Sequence, residues 1–365
     1  MVALDPAAEA TVSYGFASDN CSPMCPEALE ALIEANQTQM PGYGSDPVTQ
    51  ATIEALRTFF SAPKADVFFV PTGTAGNALA LAQLARPFES VVCHAYAHIL
   101  TDECGAPGFL GGGLSLRALS GEAGRLSPET LRKVAMEADD PRYPRAKVLS
   151  LTQSTEVGTV YDGDSLKALC EEAHRHGWRV HMDGARFIQA VAALKASPED
   201  LSWRAGVDVL TLGASKSGGG IGDAIVFFDR GLAEGFRHRI KQAGHLVSKM
   251  RYMAAPFLGL IRSARWLHHA EHANQMAAIL AEGLLRQGIV PVFERQTNAV
   301  FVDLDGPLVE ALFRSGWRFF RGSGHQRVRL MCSWNTDAAE VYAFLNALAE
   351  KRIEGDGRGR AGASE

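Results

Sequence analysis

Short apolar runs alternate with amphipathic segments between about residue 65 and residue 230. The patterns between the runs predict helices, for example over 75–84 and from Leu166 to Gly177, and Ser127 followed by Pro128 is a helix start. Strands that alternate with helices are typical of a mainly parallel sheet covered on both faces. The apolar runs predict buried strands over 67–70, 91–93, 147–152, 179–183, 207–212 and 224–228.

The pattern changes after about residue 255, where a helical stretch over 258–287 precedes strands at 298–304 and 327–332. Helices over 306–315 and 338–349 complete what we expect to be a smaller α+β domain, with the long helix around 253–281 as a bridge. Gly, Arg, Ala and Ser dominate the last residues and predict a disordered tail. The expected divisions are an N-terminal segment 1–45, a large domain 46–252, a small domain 253–353 and a tail 354–365.

Composition excludes several classes of protein. Of 365 residues, 47% are hydrophobic and 21% charged, which suits a large buried core and argues against disorder. A net charge of -5 without a basic block argues against nucleic acid as a partner. Apolar runs are too short for a membrane helix, and residues 1–10 lack a secretory signal. The six cysteines form no Cys-x-x-Cys pair, so we expect reduced thiols, no metal and a cytoplasmic location.

Strand ends carry the candidate chemistry, because ligands of parallel α/β sheets bind beyond the carboxyl ends of the strands. Gly73 and Thr74 follow the strand at 67–70, where the chain turns into a helix. Free N–H groups and the helix dipole favour an anion there. A plain tight turn is the alternative, and the spacing fits neither a Walker loop nor a dinucleotide fingerprint.

Asp183, Lys216 and His98 follow other predicted strands. A carboxylate at a strand end in a cleft requires a cation, such as a protonated pyridine nitrogen, unless Asp183 only caps the next helix. Glycines at 218–220 would let a bound ring approach the backbone near Lys216, whose amine can attack an aldehyde unless it is a solvated surface group. His98 either lies on a cofactor face or is an ordinary loop residue.

Together these features resemble pyridoxal-phosphate (PLP) enzymes of the aspartate-aminotransferase fold. The resemblance narrows to the threonine aldolase and β-eliminating lyase family through short sequence motifs at 16–19, 43–47, 71–74, 181–186 and 328–330. The resemblance extends from about Gly15 to Leu348, and its most specific motifs are Asp-Gly-Ala-Arg and Ser-Lys. It implies an α/β PLP-dependent transferase-like fold of type I, with a large mainly parallel sheet domain and a smaller C-terminal α+β domain.

The resemblance implies a role for each matching residue around the cofactor. Lys216 would carry PLP through a Schiff base, and Asp183 would pair with the pyridinium nitrogen. His98 would stack on the ring, and Gly73 and Thr74 would bind the phosphate.

It also implies how the substrate is bound. Ser18, Arg186 and Arg329 would surround the substrate carboxylate, since a guanidinium can bind both of its oxygens, and Arg186 would also contact the cofactor. A neighbouring subunit of a homodimer or homotetramer would contribute Tyr43 and the segment 249–251 to the active site, with Arg251 at the cofactor.

Two residues leave choices open. Glu156 is the last residue of the motif Gln-Ser-Thr-Glu, where the family has Glu-Asn-Thr-His. The histidine of the family motif is thus replaced, and the base for the substrate hydroxyl is His98, Glu156 or a bound water. Arg327 shares its strand face with Arg329, and only the resemblance selects Arg329.

The implied activity is reversible aldol cleavage of a β-hydroxy-α-amino acid to glycine and an aldehyde. Threonine, allo-threonine and phenylserine-like compounds are the expected substrates. The alternatives are another fold-type-I PLP enzyme, such as a β-eliminating lyase or an aminotransferase, and a non-catalytic binding protein on the same fold. The presence of both Asp183 and Lys216 argues against the last.

Overall fold

The computed structural model describes residues 12–137, 140–322 and 326–361, and they divide into two compact units. The large unit is Met24–His268, and the small unit combines the described parts of Met1–Pro23 and His269–Glu365. We expected divisions after residues 45 and 252 instead. The expected absence of a secretory signal concerns residues 1–10, which lie outside the described ranges.

The elements are numbered in chain order. The strands are β1 Ser13–Phe16, β2 Asp66–Val70, β3 Glu89–His94, β4 Ser115–Leu119, β5 Arg145–Thr152, β6 Arg179–Gly184, β7 Val209–Gly213, β8 Asp223–Phe227, β9 Ala299–Asp303, β10 Trp317–Arg321 and β11 Arg327–Met331. The α-helices are α1 Pro26–Ala35, α2 Pro47–Phe59, α3 Gly73–Leu84, α4 His98–Thr101, α5 Ala106–Leu110, α6 Pro128–Ala135, α7 Gly163–Arg175, α8 Phe187–Leu194, α9 Phe236–Gln242, α10 Arg251–Arg262, α11 Arg265–Arg286, α12 Gly306–Arg314 and α13 Ala338–Ala361.

The large unit is built on a seven-stranded sheet in the order β2-β8-β7-β6-β5-β3-β4. Strand β8 pairs antiparallel with both of its neighbours, β2 and β7, and the other strand pairs of this sheet are parallel. The expected mainly parallel sheet is therefore confirmed. The central strands β7 and β8 are buried throughout, which explains their continuous apolar runs. The edge strand β4 was not predicted, because its residues are mostly half-buried and form no such run.

Helix α3 is buried along almost its whole length, and small residues let it lie close to the sheet. A Cβ on Gly76 would lie 2.7 Å from Cγ2 of Thr211 in β7, so only glycine fits there without a shift. This close approach fixes the first turn of α3 against the end of the sheet.

The small unit contains a four-stranded sheet in the order β1-β10-β11-β9. Strands β9 and β11 match the predicted ones, whereas β1 and β10 were not predicted. Phe16 of β1 packs on Phe344 of α13 with ring centroids 5.0 Å apart, in a core that also contains Leu280 of α11 and Leu312 of α12. The expected smaller domain with mixed helices and strands is confirmed.

The predicted continuous helix over 258–287 is wrong. Two helices, α10 and α11, occupy this stretch, and Ala264 between them has a left-handed φ of 55°. The hydroxyl of Ser263 accepts the N–H of Arg265 and helps to start the second helix. The apolar pattern continues across the break, so periodicity could not reveal it.

Helix α13 continues through Ala361, past residue 354, at which we expected the ordered chain to end. Lys351 pairs with Glu354 one turn later, and Arg352 donates a hydrogen bond to the carbonyl of Gln287. The residues 362–365 lie outside the described ranges. None of the helices described in this chain is both long and apolar enough to cross a membrane.

Candidate active site

Asp183 and Lys216, two of the predicted site residues of the large unit, lie at one edge of its sheet. Thr152 at the end of β5 lies opposite Asp183 in β6, and Gly213 at the end of β7 lies opposite Asp223 at the start of β8. Lys216 belongs to a short 3-10 helix directly after β7. The strand register therefore brings Asp183, Asp223 and Lys216 to the same edge.

Asp183 is buried, and two donors hold its carboxylate. Oδ1 accepts the N–H of Ala185 at 3.0 Å, and Oδ2 accepts from Nδ2 of Asn77 at 2.8 Å. The following helix, α8, has Arg186 as its N-cap without a side-chain cap bond. The alternative that Asp183 only caps this helix is therefore wrong.

Lys216 is half-buried in a segment that side chains fix on both sides. The hydroxyl of Ser215 donates to the carbonyl of Gly220 at 2.8 Å, and Nε1 of Trp266 donates to the hydroxyl of Ser217 at 2.7 Å. Such a position does not fit the alternative of a freely solvated surface lysine.

His98 is the first residue of α4 and lies against a buried carboxylate that the sequence did not reveal. Its Nδ1 is 2.9 Å from Oε1 of Glu103, and Nδ2 of Asn77 donates to the same oxygen at 2.8 Å. The hydrogen bond to Glu103 raises the pKa of His98, and burial raises the pKa of Glu103. Asn77 thus joins the carboxylates of Glu103 and Asp183.

Glu156 also lies beside His98. Its Oε1 accepts the backbone N–H of His98 and the hydroxyl of Thr152, each at 2.8 Å. Its Oε2 is buried and has no hydrogen-bond partner among the described residues. Burial raises the pKa of Glu156 to about 7. One carboxylate oxygen is therefore anchored, and the other can exchange a proton near neutral pH.

The turn after β2 has the geometry of an anion site. Thr72 is the N-cap of α3, and its hydroxyl accepts the N–H of Ala75 at 3.1 Å. Gly73 and Thr74 form the first turn of this helix, where N–H groups have no partner within the helix. Asp223 lies close to the same turn and was not predicted as a site residue.

Arg186 and Tyr43 are positioned by backbone contacts. Arg186 is half-buried, and its carbonyl accepts the N–H of Ser154 at 3.4 Å. Tyr43 is 44% exposed and has a left-handed φ of 58°. Its N–H donates to Ser248 at 2.7 Å, and its carbonyl accepts from Arg237 at 2.6 Å. Tyr43 is thus next to the segment that leads into α10.

Arg251 lies in that same segment but faces α1. Its Nε donates to the carbonyl of Ala35 at 3.0 Å, and its guanidinium lies 4.7 Å from the ring centroid of Tyr252. These contacts tie Arg251 to α1 rather than to the residues around Asp183. The expected cofactor contact of Arg251 therefore stays a prediction about a neighbouring subunit.

In the small unit, the two arginines of β11 differ. Arg327 forms an exposed ion pair with Asp303. Arg329 is half-buried, donates to the carbonyl of Ala17 at 3.4 Å and lies 5.0 Å from the ring centroid of Phe320. Ser18, the residue after Ala17, caps a short 3-10 helix through its hydroxyl. Ser18 and Arg329 therefore lie near each other, as their expected common role requires.

Comparison with known families decides the classification. The model of the β-eliminating lyase family matches residues 15–307. The chain belongs to this family. Among its relatives, the low specificity L-threonine aldolase of Pseudomonas aeruginosa is 47% identical over 327 residues, covering 89% of this chain and 94% of the relative. The enzyme of the same name from Pseudomonas sp. (strain NCIMB 10558) is 44% identical, covering 90% of this chain and 95% of the relative.

Solved structures agree with this membership. Leishmania major threonine aldolase superimposes with a TM-score of 0.87 at 28% identity, over 93% of this chain and 99% of that one. Sphingomonas wittichii serine palmitoyltransferase superimposes with a TM-score of 0.71 at 18% identity, over 93% and 87% of the two chains, and shows the shared fold alone. The resemblance inferred from the sequence, and the fold expected from it, are confirmed.

Proposed function

We propose that this member of the β-eliminating lyase family is a PLP-dependent aldehyde-lyase that cleaves β-hydroxy-α-amino acids to glycine and an aldehyde. The observation that carries the proposal is the fixed, buried carboxylate of Asp183 at the same sheet edge as Lys216. Relatives with 47% and 44% identity over almost the whole chain are named threonine aldolases, which supports threonine and its relatives as substrates.

The residues at this edge fit PLP. Asp183 and Glu103 are buried carboxylates that share one neutral amide donor, so a cationic ring nitrogen beside Asp183 would balance a buried negative charge. Gly73 and Thr74 at the helix start would bind the phosphate, and Lys216 would hold the cofactor covalently. His98 would lie on the ring face. When bound, PLP supplies an electron-withdrawing ring that accepts the electron pair released at the substrate Cα.

Glu156 is the base that we propose for the substrate hydroxyl. As the Cα–Cβ bond breaks, the hydroxyl proton moves to Oε2 of Glu156 and the oxygen becomes the aldehyde carbonyl. Thr152 and the N–H of His98 hold the other oxygen, so the carboxylate keeps one orientation during the transfer. We prefer Glu156 to His98 because Oε2 of Glu156 is buried without a hydrogen-bond partner among the described residues, whereas the ring of His98 is expected to lie on the face of the cofactor.

Arg186, Arg329 and Ser18 would bind the substrate carboxylate, as the family resemblance implies. Two guanidinium groups on one carboxylate would fix the rotation of the substrate about its Cα. Arg327 is held in an ion pair with Asp303, whereas Arg329 lies at the carbonyl of Ala17, next to Ser18, which supports the choice of Arg329.

The assembly and location are further parts of the proposal. We propose a cytoplasmic homodimer or homotetramer in which Tyr43 and the segment around Arg251 complete the site of a neighbouring subunit. The exposed ring of Tyr43 and its direct contact with Ser248 support a shared surface for both segments. Light scattering coupled to size-exclusion chromatography tests the assembly, and a monomeric active enzyme would contradict it.

The assay that tests the activity uses L-threonine, L-allo-threonine and phenylserine with added PLP. Glycine together with acetaldehyde or benzaldehyde is the expected result. The family name favours one alternative, β-elimination, which would release ammonia and an oxo acid. An aminotransferase would also yield an oxo acid but requires an amino acceptor. Production of ammonia or an oxo acid without glycine would reject the aldolase proposal.

A further inference from the structure

One buried acid at the sheet edge, Asp223, has no role in the proposed function. Asp223 is the first residue of β8, opposite Gly213 of β7 and Val70 of β2, and only 8% exposed. A Cβ built on Gly73 would lie 3.2 Å from Oδ2 of Asp223. The carboxyl group therefore faces the first residue of α3, where the proposed function puts a phosphate.

Few charges act on Asp223. Burial raises its pKa to about 7, the charge of Lys216 lowers it, that of Asp183 raises it, and the N–H of Ala214 donates to the carboxyl group. Helix α3 and strand β7 contain no ionisable side chain, and Asp66 of β2 pairs with Phe227 at the opposite end of β8. Asp223 is thus a buried acid that can gain or lose a proton near neutral pH.

We propose that Asp223 is a phosphate ligand that binds in its neutral form, with its O–H donating a hydrogen bond to an oxygen of the cofactor phosphate. This rests on the proposed function, because it requires PLP at Gly73 and Thr74. The proton balance is simple: an ionised Asp223 takes one proton from solvent when the phosphate dianion binds, and returns it on release.

Electrostatics selects the neutral form. A carboxylate beside a phosphate dianion in a buried site would repel it strongly, because the low dielectric strengthens the interaction. The neutral acid removes this repulsion and adds a donor to those of the helix start. Asparagine at this position would donate in the same way at every pH, which gives a variant that separates the proton from the hydrogen bond.

The experiment compares PLP binding by the wild type and by Asp223→Asn from pH 6 to pH 9, followed by the absorbance of the bound cofactor. Below pH 7 the two dissociation constants should have a constant ratio. Above pH 7 the wild type should weaken relative to the variant by up to about tenfold per pH unit, because binding then requires uptake of one proton. Asp66→Asn, an acid at the other end of the same strand pair, is the matched control and should follow the wild type.

Pyridoxal, which lacks the phosphate, is the second probe. Asp223→Asn should not alter the pH dependence of pyridoxal binding. The same pH-dependent difference with pyridoxal as with PLP would mean that Asp223 acts on Lys216, and would overturn the proposal. Parallel PLP curves for wild type and variant would overturn it as well.

A third measurement needs no variant. Calorimetry in buffers with different ionisation enthalpies gives the protons taken up on binding at pH 8, and PLP should take up about one more proton than pyridoxal. Equal uptake would reject the proposal even if Asp223→Asn did not fold. A wild type that binds no PLP at all would instead reject the proposed function.

Discussion

Two glutamates of the large unit are both removed from solvent, yet their surroundings are opposite. Glu172 in α7 is 3% exposed at its side chain and is bonded by Arg132 at 3.1 Å, Arg175 at 2.6 Å and His176 at 2.9 Å. Burial alone would raise the pKa of Glu172, but the bonds from Arg132 and His176 outweigh it and hold the pKa below its usual value. Glu156 has only neutral donors, and its Oε2 has no partner among the described residues.

The difference separates an acid that stabilises the fold from one that is available for chemistry. A carboxylate bonded by two guanidinium groups and an imidazole stays ionised and connects α6 to α7. A carboxylate without a cationic partner costs stability whenever it is charged, and it can take a proton near neutral pH. Burial by itself therefore does not indicate function, whereas at Glu156 burial coincides with a missing cationic partner and with a position beside His98.

The largest expected effect concerns Lys216. Lys216→Ala should lower kcat/KM by about 10⁴-fold or more, because the covalent attachment of the cofactor is lost. Lys195→Ala, which removes a lysine at the end of α8, is the control and should keep normal activity. Borohydride reduction followed by peptide mapping checks the attachment, and a pyridoxyl label on any lysine other than Lys216 would refute the assignment.

The comparison of the two glutamates is tested next by their glutamine variants. Glu156→Gln should lower kcat by about 10²- to 10³-fold, since it removes the proposed base. It should also remove the rise in kcat/KM with pH near 7 that ionisation of Glu156 produces. Glu172→Gln should leave both unchanged. Similar kinetics of the two variants would show that the missing partner of Oε2 has no role in catalysis.

A smaller effect distinguishes the arginines of β11. Arg329→Ala should lower kcat/KM by about 10²-fold, as expected when a substrate carboxylate loses one cationic partner. Arg327→Ala breaks an exposed ion pair, which is worth less than about 1 kcal/mol, and should have little effect. The absorbance of the bound cofactor should be normal in both. A large loss at Arg327 with a mild one at Arg329 would mean that the other arginine binds the substrate.

Much of the large unit could be predicted from the sequence, because its buried strands are continuous apolar runs. The runs at β2, β3, β5, β6, β7 and β8 each gave a strand within a few residues of its observed bounds. The prediction missed β1, β4 and β10, whose burial is incomplete, since partly buried strands lack a clear run. The break between α10 and α11 is a left-handed backbone conformation at Ala264, and the pattern of apolar and polar side chains does not predict it.

The site was predictable only where residues follow strands. Asp183 and Lys216 stand at such positions, and the family resemblance added roles to them. Asn77 had a weak signal, as a polar residue in an otherwise apolar helix, but its bond to Asp183 joins residues 106 positions apart. Glu103 gave no signal, because only the fold makes a loop acid into a buried partner of His98.

The pH dependence of stability should differ in sign between the two glutamates. The pKa of Glu156 is raised to about 7, so its ionisation opposes folding. As pH rises from about 4.5 to 7, the wild type therefore loses stability relative to Glu156→Gln, by at most about 3 kcal/mol. The pKa of Glu172 is lowered, so its stabilisation is present above the unfolded pKa and is lost as pH falls through the folded one. Urea unfolding at pH 4, 6 and 8 should therefore show Glu156→Gln gaining on the wild type with pH, and Glu172→Gln falling behind it. Stability curves that stay parallel to the wild type in both variants would remove the physical basis of the comparison, because neither carboxylate would then differ from its unfolded state.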